Sequence, residues 1–104
     1  MLENHMTYDL LPNVDQQAYT SWAKKVIGTI LQQPGLIEFR AYRNWSGNPQ
    51  ILTVTVWETA ADWARFGENV WPPFNEELYA FATDIHYTLW GASPVVPEPL
   101  RPAK

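Results

Sequence analysis

The chain has no cysteine among its 104 residues. That excludes disulfides, thiolate nucleophiles and zinc sites built on cysteine in one step. Basic residues are few, seven Lys and Arg against eleven Asp and Glu, for a net charge of −4. They are scattered, with Lys24 and Lys25 the adjacent pair, so no cationic footprint for nucleic-acid phosphates is present. No apolar run approaches the length needed to span a bilayer. The opening "MLENHMTYDL" lacks the basic and apolar regions of a secretory leader, which makes a cytoplasmic location the expectation. Two histidines without clustered carboxylates make a poor metal site. Gly-rich phosphate loops and serine elbows are also missing.

What is abundant is tryptophan, six in all, and proline, nine in all. Tryptophan brings a large apolar surface and an N–H that needs a partner, so it collects in cores, pockets and interfaces. The prolines are unevenly spread, with four in the closing "SPVVPEPLRPAK". That composition predicts one domain over residues 1–93 and an extended Pro-rich arm over residues 94–104.

Period and punctuation place the elements. "NHMTYDLL" alternates as a strand and is stopped by Pro12. Asn13 and Gln16 have capping-box spacing before a helix that carries Tyr19, Trp22, Val26 and Ile30 and ends at Pro34-Gly35. "LIEFRAYR" and "ILTVTVW" read as a hairpin around the turn "NWSGNPQ". Thr59 caps a short helix, "VWPPFNEELYAFA" forms another, and "DIHYTLWG" is the last strand. The order predicts an α+β domain of ferredoxin-like βαββαβ type, with a four-stranded antiparallel sheet covered on one side by helices.

Alternation also assigns faces. Met6, Tyr8 and Leu10, Ile37, Phe39 and Ala41, Leu52, Val54 and Val56, and Ile85, Tyr87 and Leu89 are expected under the helices. The reverse face is then amphipathic, with Asp9, Glu38, Arg40, Tyr42, Thr55, Trp57, His86 and Trp90. It suits the wall of a partly solvated cavity shared with a partner. Pairing strands two and three about the turn sets Arg40 opposite Thr55 and Glu38 opposite Trp57. Arg40 then pairs with Glu38 or stacks on Trp57, and can hold a phenolate or carboxylate; Tyr42 and Trp90 complete a substrate-binding surface. Asp9 and His86 sit on neighbouring strands, and an Asp-oriented His is a general base for an acidic C–H or phenol. The simpler alternatives are an ion pair for Arg40 and Glu38 and a structural hydrogen bond for Asp9 and His86.

From "PGLIEFRAYR" through "ILTVTVWETAADWARF" to "FNEELYAF", the chain resembles the dimeric α/β-barrel proteins of the antibiotic-biosynthesis-monooxygenase type. The resemblance spans roughly Thr7 to Trp90 and rests on a strand ending in Trp57 followed by an amphipathic helix. It implies a homodimer whose two sheets close into a barrel, with a pocket between sheet and helices in each subunit. It also implies oxygenation of an apolar aromatic or polyketide-like molecule without cofactor, or a non-catalytic binding module of the same fold. Thr55 stands where monooxygenase-like members often carry glutamate, and Phe66 where a histidine usually ends the helix. "WPPFNEELYAF" has no histidine to ligate haem, so the resemblance points away from haem chemistry.

Overall fold

The computed structural model describes residues 1–103. It contains β1 (Leu2–Leu10), α1 (Gln16–Ile30), β2 (Leu36–Arg43), β3 (Ile51–Trp57), α2 (Ala60–Asn69), α3 (Trp71–Leu78) and β4 (Ala82–Trp90). All strand pairs are antiparallel and the sheet order is β2-β3-β1-β4. This is the ferredoxin-like arrangement, with the second helical layer split in two at Val70.

Local chemistry explains the boundaries. The cap of α1 is Asp15, not Asn13: its Oδ1 accepts from the backbone N–H groups of Gln17 (3.0 Å) and Ala18 (3.1 Å), satisfying donors that the first turn leaves free. At the other end Gly35 takes φ +84° to turn the chain into β2, a conformation with no steric cost for glycine. Thr59 caps α2 by accepting from the Asp62 N–H at 3.1 Å and donating to its carboxylate at 2.8 Å. Pro72 and Pro73 occupy the first turn of α3, where a missing N–H costs nothing.

Two bulges set which side chains face the helices. In β2 the register steps from Leu36 opposite Trp57 to Glu38 opposite Val56, so Ile37 is the extra residue. Leu36 takes the helix-facing place expected of Ile37, which is left exposed. In β4 the register steps from His86 opposite Thr7 to Thr83 opposite Asp9. The inserted residue falls beside Asp84, which has φ +53°, the local kink that a bulge requires.

The core lies between sheet and helices in two clusters. One joins Val26, Ile30, Trp57 and Phe66; the other joins Tyr8, Leu78 and Ala82. From Gly91 to Ala103 the chain forms no helix or strand, and Val95 and Leu100 are exposed. The Ser93 hydroxyl accepts from the N–H groups of Val95 and Val96 at 3.1 Å each and fixes the start of this arm. Residue 104 of the expected arm lies outside the described residues.

Candidate functional site

Strand β3 is the element whose face differs from the expected one. Met6 lies opposite Thr53, Tyr8 opposite Ile51 and Phe39 opposite Thr55. Ile51, Thr53, Thr55 and Trp57 therefore share the helix-covered face, and Leu52, Val54 and Val56 share the open one. A one-residue change of register moves every side chain across the sheet. The physical reason is that β3 is central and both its faces are covered: Val54, Thr55, Val56 and Trp57 are all buried. Trp57 is fully enclosed, 5.0 Å from the Phe66 ring centroid, and its N–H is satisfied by Thr55 Oγ1 at 2.8 Å. Thr55 thus supplies the polar partner that a buried tryptophan needs.

The expected site is consequently divided between the two sides of the sheet. Arg40 lies opposite Val54 and Glu38 opposite Val56, so neither meets Thr55 or Trp57. On the open face Arg40 forms ion pairs with Glu38 and with Glu3, the latter at 3.1 Å, and His5 Nε2 lies 3.1 Å from the same Glu3 carboxylate. The hydrogen bond from His5 holds the Glu3 carboxyl below its ordinary range, with Arg40 adding to it. The bond to Glu38 raises the Arg40 guanidinium further above its usual value. Tyr42 and Trp90 flank this cluster, each about half exposed at 50% and 56%. Trp90 donates to Thr88 Oγ1 at 2.8 Å and its ring lies 6.0 Å from that of His5.

The expected Asp9–His86 pair does not form. His86 lies opposite Thr7, while Asp9 faces Thr83 across the bulge. The Asp9 Oδ1 is claimed instead by the Asn48 side-chain amide (2.6 Å) and the Gln50 backbone N–H (2.8 Å). Both donors belong to the β2–β3 turn, so Asp9 fastens that turn to β1.

Between sheet and helices lies a cavity of about 440 Å³. The sheet contributes Asn4, Met6, Thr53 and Thr55 to its wall and the helices Trp22, Val26 and Trp63, with two hydroxyl-bearing pairs, Tyr8 with Tyr19 and Trp71 with Tyr87. Glu68 lines it as the single carboxylate, and no Lys, Arg or His does so among the described residues. The Tyr8 and Tyr19 hydroxyls share a 2.5 Å hydrogen bond. Burial drives the Tyr8 phenol far above its ordinary value, with the Tyr19 bond reinforcing the effect. Burial also raises Tyr19, against the opposing influence of the Tyr8 bond. In the second pair Trp71 Nε1 donates to the Tyr87 hydroxyl (2.9 Å), which donates to Asn75 Oδ1 (2.5 Å). Burial raises Tyr87 too, and the Trp71 bond tempers the rise. These three phenols are protonated hydrogen-bonding groups, not bases, near neutral pH.

Of the residues picked from sequence, Thr55 alone lines this cavity. The residues missed were its aromatic walls. Their signal was present: Tyr19 and Trp22 lie on the inner stripe of the first helix, and Tyr8 and Tyr87 on strand faces assigned to the helices. They read as core because a cavity and a core share one periodicity.

No protein-family model matches the sequence, and no curated protein resembles it closely enough to match. Solved structures do match in fold. SnoaB, a cofactor-independent oxygenase from Streptomyces nogalater, superposes with a TM-score of 0.67 at 18% identity, over 93% of this chain and 95% of that one. A proposed antibiotic biosynthesis monooxygenase from Deinococcus radiodurans gives 0.73 at 14% identity over 100% of both chains. At3g17210 from Arabidopsis thaliana gives 0.78 at 8% identity, over 92% of this chain and 99% of that one. At such identities the likeness establishes the fold alone, the ferredoxin-like α/β fold that this chain has in common with these structures.

Proposed function

We propose that this chain is a small cofactor-independent oxygenase-like enzyme that binds a flat apolar aromatic or polyketide-like molecule between its sheet and helices. The observation that carries the reading is the aromatic-walled cavity of about 440 Å³. That volume lies within the roughly 300–1,000 Å³ typical of small-molecule sites. Trp22, Trp63 and Trp71 offer stacking surfaces, and apart from Glu68 the polar side chains are hydroxyls, indoles and the Asn4 amide, suited to orienting a ligand. The fold of a cofactor-independent oxygenase supports the reaction class. Converting a ring CH₂ to C=O in such a substrate consumes one O₂ and releases one water, with the substrate itself as reductant and its two CH₂ hydrogens leaving in that water.

The chain acts as a homodimer in this reading, joined through the open sheet face. Tyr42 and Trp90 are half exposed there beside the Glu3–Arg40–Glu38 cluster. An isologous contact covers the same patch twice.

A second reading, ligand binding without turnover, is favoured by one observation. No histidine lines the cavity, and its tyrosines are held protonated, so Glu68 is the one base on its wall. Titrating the protein with tricyclic phenols while following tryptophan quenching and oxygen uptake separates the two. Quenching with uptake supports the oxygenase, quenching alone supports the binding module, and neither response removes both.

A further inference from the structure

The tyrosine pair on the wall of the cavity carries one proton more than it uses. Tyr8 on β1 and Tyr19 on α1 hold their hydroxyls 2.5 Å apart, so one O–H is spent between them. No other described group accepts the second, and both residues line the cavity. Tyr8 is 4% exposed and Tyr19 is half-buried, so the spare O–H, on whichever ring carries it, faces the cavity both residues line. Tyr87 differs, because its single proton is already given to Asn75.

We propose that the Tyr8–Tyr19 pair is the specificity-determining anchor of this cavity, donating its spare O–H to a carbonyl or phenolic oxygen of an uncharged ring compound. The proposal rests on the cavity being a ligand site, as read above. Three comparisons of cost lead to this ligand class. A pure hydrocarbon leaves a desolvated donor unpaired. An anion such as a carboxylate loses its hydration where no Lys, Arg or His lines the wall, a larger penalty. A neutral oxygen acceptor satisfies the donor without burying a charge. Burial supports the arrangement by keeping both phenols protonated well past neutral pH. Rival donors on the same wall are the Thr53 hydroxyl, opposite Met6 and Ala41, the Asn4 amide and the Trp63 indole.

The test uses 9-fluorenone and fluorene, flat uncharged tricycles that differ by C=O against CH₂, with binding read by tryptophan quenching. The wild-type chain is expected to bind the ketone about tenfold more tightly, the scale of one lost buried hydrogen bond. In Y8F/Y19F the preference should fall to about twofold or less, with fluorene binding retained as the folding control. Replacing both partners of a hydrogen bond by apolar groups of the same shape is close to neutral for stability. The carbonyl stretch of fluorenone bound to the wild type should also move to lower wavenumber than in hexane, a readout that needs no variant. Equal wild-type affinity for the two probes overturns the anchor while leaving the cavity reading intact. So does a ketone preference that survives in Y8F/Y19F, whether Thr53→Val, Asn4→Leu or Trp63→Phe then removes it, or an unshifted carbonyl band. Binding of neither probe overturns the cavity reading and the anchor with it.

Discussion

The indole N–H of Trp57 donates to the hydroxyl of Thr55, 2.8 Å away and two residues back along the same strand. Both side chains are buried, so each is the other's nearest polar recourse. Thr55→Val keeps the shape and removes the acceptor, stranding a buried N–H. The expected cost is about 1–3 kcal/mol in chemical denaturation, while Thr55→Ser should lose less than half of that. A valine variant as stable as the wild type would mean that Trp57 finds another acceptor.

Tyrosine burial sets an alkaline limit. The ordinary phenol value is 10.0, and Tyr8, Tyr19 and Tyr87 are all raised above it in the folded chain. The folded state therefore holds these protons more tightly than the unfolded one, and their contribution is complete below pH 10. Stability should fall as pH rises above 10 towards the folded values. Y8F/Y19F should show a shallower fall between pH 9 and pH 11. Denaturation midpoints at the two pH values measure it, and equal slopes for the two proteins would refute the assignment.

Gly35 joins α1 to β2 at φ +84°, and a methyl group on its Cα would overlap the Asp62 carboxylate. Asp62 is in turn bound to Thr59 and to Arg65 (2.6 Å) at the start of α2. Gly35→Ala thus combines a left-handed backbone penalty with displacement of a cap. A loss of more than about 1 kcal/mol is expected, against a gain of about 0.5–1 kcal/mol for Gly28→Ala, which lies inside α1 with nothing near the added carbon. Thermal melts of the two variants compare them directly.

Assembly through the open face makes a separate prediction. Introducing charge at its half-exposed aromatics, as in Tyr42→Glu or Trp90→Glu, should shift a dimer towards monomer in sedimentation at about 10 μM, a range that weak crystal-type contacts do not populate. Monomer stability should change by less than about 1 kcal/mol, since both sites are exposed in the single chain. A wild-type monomer at that concentration would remove the dimer reading.

Removing residues 94–104 tests the arm in the same assay. If Val95 and Leu100, exposed in the single chain, lie on a partner, truncation should weaken the dimer. An unchanged dissociation constant would assign the arm no part in assembly.

The order and type of elements were determined by the sequence itself. Alternation in β1 and β2, the 3.6-residue stripe of Tyr19, Trp22, Val26 and Ile30, and the stops at Pro12 and Pro34-Gly35 are local signals with local causes. The βαββαβ order then leaves few arrangements of a four-stranded sheet. Which way β3 faces was not local. Leu52, Val54 and Val56 against Thr53, Thr55 and Trp57 is an alternation between two faces that are both buried, so period alone cannot say which one meets the helices. The choice was made by packing: Trp57 fills the space beside Val26, Ile30 and Phe66, and Thr55 answers its N–H. Likewise Asp9 and His86 lie on neighbouring strands, yet the Asn48 and Gln50 donors and the β4 bulge draw them apart. The cavity itself, an unfilled volume among residues that all read as core, exists only once the helices are set over the sheet.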